Sequence, residues 1–386
     1  MRADHSKWSM ARVATKIMTV VGTRPEAIKM VPVLRAIRAQ AGLELISITT
    51  GQHRQMLDQV FSAFSETADH DLGVMTANQS LAGITSSVLT KMMDVLGEYK
   101  PDIVLVHGDT TTAMAAAMAC FYARVRIGHV EAGLRSGDLQ RPWPEEFNRV
   151  TIDSIAEFMF APTEGAKANL LAEYNRNGRI YVTGNTGIDT LLLTAKLIEN
   201  DAAQKQAMAA KYNYLDPSLR LVLVTGHRRE NFGDGFQRIC DGLATLAKRG
   251  DVQVLYPVHL NPNVRSVVQE RLRDVANIFL IDPVEYFDMV YLMQRSYLII
   301  TDSGGIQEEA PALGKPVLVM RETTERPEAL ASGVVKLVGT DPDKMTGEAA
   351  ILLDQPSVYA ERARPVFPYG DGQAAQRIAA ALAEAG

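Results

Sequence analysis

The sequence predicts an α/β protein of two doubly wound, Rossmann-like domains, and three observations carry that expectation. The chain has 386 residues, more than one hydrophobic core supports at about 150 residues per domain. Short β-branched runs alternate with amphipathic stretches, the pattern of a parallel sheet covered on both faces. Each half also opens on an apolar run ending in Gly-x-Arg, VGTR at 21–24 and TGHR at 225–228, so one architecture is used twice.

The first strand is KIMTVV, followed by a helix through KMVPVLRAIRA. ELISITT and RQMLDQVFSAF come next, then DIVLVHGD with TTAMAAAMACFYA, and RIGHVEA ahead of FNRVTIDSIAEFMFAP. After RIYVTGNTGIDTLL the pattern restarts with RLVLVTGHRREN, a helix through FQRICDGLATLAKRG, VQVLYPVH and a helix over VRSVVQERLRD. NIFLID, YFDMVYLMQRS, YLIITD, IQEEAPALG and PVLVM complete it. Glycines and polar residues at 184–189 interrupt the strand pattern, which places a first domain at 16–184 and a second at 185–368. A last helix, within 369–386 after the turn PYGDG, packs back on one of the two domains. Residues 1–15, MRADHSKWSMARVAT, read as a poorly ordered extension without the apolar stretch of a signal peptide.

An apolar fraction of 47% and a charged fraction of 22% are those of an ordinary soluble globular protein. The net charge of −5 is spread along the chain, which argues against a nucleic-acid groove and against a membrane-binding face. Cys120 and Cys240 lie in apolar, helix-like stretches without a CxxC, so they read as buried thiols in a reducing compartment. The longest apolar run, AMAAAMACFYA from Ala113, falls well short of the roughly 20 residues that span a bilayer. The expected location is the cytoplasm.

Ligands of open α/β sheets lie beyond the carboxyl ends of the strands, so the residues after each strand are the candidates. VGTRPEAIK sets Arg24 and Lys29 where a strand turns into a helix. A helix N-terminus is already partly positive, and two more cations there call for an anion. The structural alternative is Pro25 at the first helical position with a solvated Lys29. LIITDSGGIQEEA puts Ser303, Gly304 and Gly305 between a strand and a helix start. Free N–H groups and a serine hydroxyl there suit a diphosphate, and Glu309, one turn on, suits sugar hydroxyls. A serine N-cap over a glycine turn is the alternative. HRREN brings His227 and Arg228 to the corresponding turn of the second domain, where a solvated basic loop is the alternative. Neighbouring FGDGF has Arg238 in place of a third glycine, so no NAD site is inferred.

Asp109, Glu131 and Glu145 form the acidic group. Carboxylates that are close and partly desolvated acquire different proton affinities, which acid/base chemistry near neutral pH requires. A helix cap for Asp109, an ion pair with an arginine for Glu131 and an i,i+4 pair with Arg149 for Glu145 are the structural alternatives. His129 and Glu131 make an HxE without a PCxxC, and the chain has no HExxH, GxSxG or GxxxxGK[ST]. Metal and serine-nucleophile chemistry are therefore not expected.

Taken together, GTRPEAIK (22–29), GQHRQM (51–56), HGDTTT (107–112), HVEAGLRS (129–136), RPWPEEFNR (141–149), TGHRREN (225–231), TDSGGIQEEAP (301–311) and RETTERPE (321–328) resemble the non-hydrolysing UDP-N-acetylglucosamine 2-epimerases of bacteria. The resemblance runs in order from Lys16 to the C-terminus. It implies the GT-B fold, two Rossmann-like domains facing a cleft, with the last helix crossing back to the first domain. It also implies interconversion of UDP-N-acetylglucosamine and UDP-N-acetylmannosamine for cell-surface polysaccharide synthesis, by a homodimer using neither metal nor other cofactor. The implied route is anti elimination of UDP to 2-acetamidoglucal and syn re-addition.

By matching motif positions, the resemblance gives Arg24, Lys29 and His227 the diphosphate side and makes Asp109, Glu131 and Glu145 the acid/base candidates. Ser303, Gly304, Gly305, Glu309 and Arg326 bind UDP, with uracil near Tyr286 and Met289, the latter a position where the family often has an aromatic residue. Some members bind a second UDP-N-acetylglucosamine as activator, at positions matching Gln52, Gln55, Arg228 and His259. The rival readings are a GT-B glycosyltransferase with the same donor, a hydrolysing epimerase releasing UDP and N-acetylmannosamine, and a nucleotide-sugar sensor without chemistry.

Overall fold

The computed structural model describes residues 14–51, 54–75, 79–173 and 178–386. The chain divides into two compact units, one reaching to Thr190 and including Gly372–Gly386, the other Leu191–Asp371. The boundary expected at 184/185 lies just ahead of this division.

In unit 1 the strands are β1 (Thr15–Val21), β2 (Leu43–Thr49), β3 (His70–Asp71), β4 (Ile103–His107), β5 (Arg126–Val130), β6 (Phe158–Ala161) and β7 (Arg179–Val182). Between and after them come α1 (Arg24–Ala39), α2 (Arg54–Ala63), α3 (Leu81–Tyr99), α4 (Thr111–Ala123), α5 (Glu145–Ile155), α6 (Glu164–Ala172) and α7 (Thr186–Asn200), which runs across the division. All pairings are parallel, in the order β3-β2-β1-β4-β5-β6-β7. Every residue of β4 is buried, as a central strand covered on both faces requires.

Unit 2 repeats the plan. It contains α8 (Ala202–Lys211), β8 (Arg220–Thr225), α9 (Asp234–Ala247), β9 (Val252–Pro257), α10 (Pro262–Leu272), β10 (Ile278–Ile281) and α11 (Tyr286–Arg295). There follow β11 (Leu298–Thr301), α12 (Gly304–Ala312), β12 (Val317–Val319), α13 (Pro327–Ala331), β13 (Val335–Leu337), α14 (Pro342–Asp354) and α15 (Pro356–Arg362). The parallel order is β10-β9-β8-β11-β12-β13. Its core packs Val222, Val224, Phe236, Val254, Tyr256 and Ile300.

The last helix, α16 (Ala374–Ala385), belongs to unit 1. Buried Asp189 accepts the Ala375 N–H at 2.8 Å and the Ala374 N–H at 3.3 Å, satisfying two of the donors a helix start leaves open. Arg377 donates to the Thr183 carbonyl at 3.0 Å, and Arg126 to the Ala385 carbonyl at 3.2 Å.

Of the extension read over 1–15, Thr15 belongs to β1, and residues 1–13 lie outside the described residues. The run FNRVTIDSIAEFMFAP holds two elements, because Ala156 leaves the helix in extended conformation and β6 begins at Phe158. α3 lies in a stretch without a sequence assignment, although Ile84, Val88, Met92, Val95 and Leu96 form its buried stripe. Cys120 and Cys240 are free and buried, and burial pushes both thiols up to about 12. Among the described residues no helix is long and apolar enough to cross a membrane.

Candidate active-site residues

In unit 1 the strand order reverses between β1 and β4, the place where open α/β sheets hold ligands. Gly22 follows β1, and a Cβ there would come within 2.5 Å of Thr112 Oγ1. Its N–H donates to Glu26 Oε2 at 2.9 Å, the Thr23 N–H does so at 2.6 Å, and the Thr110 hydroxyl donates to Glu26 Oε1 at 2.7 Å. Burial nevertheless raises the Glu26 carboxyl above its ordinary value, against the pull of these donors. This knot fixes the start of α1, where Arg24 is half-buried. Lys29, one turn further, forms an ion pair with Glu131.

Glu131 follows β5 with φ of +71°, a left-handed conformation that non-glycine residues seldom adopt. The N–H groups of Glu131 and Ala132 both donate to the Phe160 carbonyl at 3.1 Å. Its carboxylate lies between the Lys29 ammonium and the ring of His107, whose Nε2 is 3.7 Å away. His107 ends β4 and is 3% exposed. Burial pulls its imidazole down to about 3, overriding the attraction of Glu131, so the ring is neutral near pH 7. Neither ring nitrogen makes a hydrogen bond.

Asp109 follows Gly108 at the end of β4 and pairs with Arg149 of α5. Arg149 also reaches Glu146 at 3.4 Å, and Asn148 donates to the Asp109 carbonyl at 2.8 Å. The arginine thus serves Asp109 and Glu146. The cap of α4 is Thr110, whose hydroxyl accepts the Ala113 N–H at 3.0 Å, so Asp109 is not spent on that role. Glu145 opens α5, and its Oε2 is buried without a hydrogen-bond partner.

The HxE of the sequence also finds its explanation. His129 is wholly buried, with Nδ1 2.6 Å from Asp153 and Nε2 2.8 Å from the Gly108 carbonyl. Asp153 further accepts the Gly133 N–H at 3.0 Å and meets Arg135 at 2.8 Å. Burial would raise the Asp153 carboxyl, but His129 and Arg135 prevail and hold it below the usual range. His129 therefore ties the turn after β4 to the turn after β5. Among the described residues no group of three or more His, Cys, Asp or Glu is placed to hold a metal ion.

In unit 2 the order reverses between β8 and β11, and the residues after these strands meet. Asp302 accepts the Arg228 N–H at 2.9 Å and the Asn231 amide at 3.3 Å, as well as the ring and backbone N–H of His227. The His227 ring stacks on that of His259, with centroids 5.7 Å apart. Ser303 caps α12 in extended conformation, yet its hydroxyl makes no capping bond. A Cβ on Gly304 would meet the guanidinium groups of Arg326 and Arg228 at 3.4 and 3.5 Å, so two cations flank this helix start. Arg326 also pairs with Glu308, and Arg228 lies 3.4 Å from Glu325. The Tyr286 hydroxyl donates to Glu309 at 3.2 Å, and burial pushes that phenol well above 10. Met289 is half-buried on the same helix, α11. Gln52 and the side chain of Gln55 lie outside the described residues.

The sequence motifs above give no role to Glu26 or His107, and they mark Asp302 only as a residue that follows a strand. The pattern Thr23-x-x-Glu26 is a capping-box signal and points to the first of them. The other two depend on partners that only the sheet brings near.

A family model described as UDP-N-acetylglucosamine 2-epimerase matches residues 35–383. The chain is 52% identical over 368 residues to the UDP-N-acetylglucosamine 2-epimerase of Escherichia coli strain K12, covering 95% of this chain and 98% of that protein. It is similar to the crystal structure of UDP-GlcNAc 2-epimerase from Neisseria meningitidis bound to UDP-GlcNAc, with a TM-score of 0.88 and 46% identity, covering 96% of this chain and 100% of that one. The enzyme from Methanocaldococcus jannaschii in complex with UDP-GlcNAc and UDP gives a TM-score of 0.78 and 32% identity, again covering 96% and 100%. Two parallel, helix-covered sheets match these GT-B-like neighbours.

Proposed function

The chain belongs to the UDP-N-acetylglucosamine 2-epimerase family, and we propose that it acts without hydrolysis, interconverting UDP-N-acetylglucosamine and UDP-N-acetylmannosamine. The observation that supports inversion at carbon 2 is the unequal setting of three carboxylates in unit 1. Glu131 is held by an ammonium, Asp109 by a guanidinium, and Glu145 keeps a buried oxygen without a partner. Inverting one carbon demands proton removal on one face and delivery on the other, and carriers held differently suit the two tasks.

In this reading one carboxylate takes the proton from carbon 2 while the bond from carbon 1 to the diphosphate oxygen breaks. The electron pair of the C–H bond becomes the second bond between carbons 1 and 2, and UDP departs with the electrons of the C–O bond. Re-addition of UDP and delivery of a proton to the opposite face complete the inversion. Charge grows on the departing diphosphate, and Arg24, Lys29 and His227 are the groups assigned to stabilise it. The open N–H groups after Ser303 at Gly304 and Gly305 bind the phosphates, Glu309 the ribose, Arg326 the reacting end, and Tyr286 with Met289 the uracil. Asp109, Glu131 and Glu145 share the proton transfers. Activation by a second UDP-N-acetylglucosamine through Gln52, Gln55, Arg228 and His259, a homodimeric cytoplasmic enzyme and use of the product in polysaccharide synthesis complete the proposal.

Incubation with UDP-N-acetylglucosamine in deuterium oxide tests it. Proton NMR is expected to show UDP-N-acetylmannosamine carrying deuterium at carbon 2, and phosphorus NMR no accumulating UDP. Release of UDP with free N-acetylmannosamine would instead mark a hydrolysing enzyme.

A further inference from the structure

We propose that His107 is a positioning residue for Glu131, a neutral hydrogen-bond donor that takes hold of its carboxylate when the Lys29 ammonium turns to the diphosphate of the substrate. The inference rests on the roles assigned above to Lys29 and Glu131. Its starting point is an anomaly. Buried polar side chains are nearly always hydrogen-bonded, yet both ring nitrogens of His107 lack such a partner at 3% exposure.

The nearest carboxylate oxygen is Glu131 Oε2, 3.7 Å from Nε2. That is too long for a hydrogen bond, but a shift of about 0.8 Å brings the pair to the usual N···O distance. The two sides of the gap differ in freedom. His107 is the last residue of a fully buried central strand and is paired in register with Val130, so its backbone is held and its ring is packed in at 3% exposure. Glu131 stands just beyond β5, and Lys29 reaches it from α1 on a flexible four-carbon stem. An ammonium shared between a carboxylate and an incoming diphosphate weakens its grip on the former, and the carboxylate then moves the short distance to the imidazole. A neutral imidazole accepts this part without changing the charge of the site, and the depressed proton affinity of His107 keeps it neutral.

The test uses the full-length protein and two variants. Wild-type epimerisation is measured first, and its absence would count against the reaction assigned above while leaving the imidazole measurement to decide this inference. His107→Phe removes the donor and two unsatisfied buried atoms. It is expected to lower kcat about tenfold or more with KM little changed and the thermal midpoint not lowered. His107→Gln restores a neutral N–H and is expected to recover most of the rate. In protein carrying 15N-labelled histidine, saturation with UDP is expected to move the His107 Nε2 proton downfield. A wild-type kcat in the Phe variant, loss of activity in both variants in step with the thermal midpoint, or a ring proton unmoved by UDP would each overturn the proposal.

Discussion

Asp302 stands directly behind His227, its wholly buried carboxylate 3.2 Å from the imidazole Nδ1 and 3.0 Å from the backbone N–H of the same residue. The anion orients the ring and keeps its Nε2 edge available. Asp302→Asn keeps the shape but loses the charge, and turnover is expected to fall on the order of 100-fold. Steady-state kinetics of the variant check this, and a rate within twofold of wild type would remove Asp302 from the functional account.

Acid stability follows from the same carboxylate. Burial alone would raise the proton affinity of Asp302, but its donors prevail and hold it below the ordinary 3.8. A depressed folded-state value stabilises the protein at and above the unfolded value, and that contribution disappears as pH falls through the folded one. Asp153 adds to the effect with the same sign. The thermal midpoint of the wild type is expected to decline on acidification below about pH 4, and that of Asp302→Asn to decline less. Parallel curves for the two proteins would contradict the linkage.

Glu26 has the opposite sign. Its folded-state value is raised above 4.5 by burial, so its contribution to stability is present below the unfolded value and lost as pH rises through the folded one. Glu26→Gln keeps an acceptor for the Gly22 and Thr23 N–H groups without the charge, and it is expected to match or exceed wild-type stability at pH 7. Glu26→Ala leaves those donors without the carboxylate and is expected to cost about 1–3 kcal/mol. Urea unfolding midpoints distinguish the two.

Asp109→Asn and Glu131→Gln are expected to abolish turnover while UDP still binds, because each removes a carboxylate to which the proposed reaction gives a proton transfer. Arg24→Ala is expected to weaken both, since the proposed reaction sets its charge against the diphosphate. Calorimetric titration with UDP alongside NMR turnover assays separates these outcomes, and near-normal rates in either carboxamide variant would exclude that carboxylate from the chemistry.

The parts of the fold and site that sequence discloses are those whose signals are local. A strand ending at Gly22 or Asp302, followed by small residues and a helix start, marks a strand-end turn within a dozen residues, and the structure puts both at the reversal of strand order. Ser303–Gly305 is legible for the same reason. His107 and Asp153 are not, because each takes its meaning from a residue 24 positions away, Glu131 in one case and His129 in the other. Parallel pairing of β4 with β5 and the packing of α5 create those encounters. Arg149 illustrates the limit of helical spacing as a guide. An i,i+4 partner was available in Glu145, yet the guanidinium goes to Asp109 and Glu146 because tertiary contact outweighs a surface pair worth a few tenths of a kcal/mol.

Unit 1 is closed by α16, a helix that the ribosome delivers only after all of unit 2. Until then Asp189 and the Thr183 carbonyl await the donors of Ala374, Ala375 and Arg377. A chain cut short ahead of Gly372 would therefore hold every residue of unit 2 and still lack a helix of unit 1, the part translated earliest.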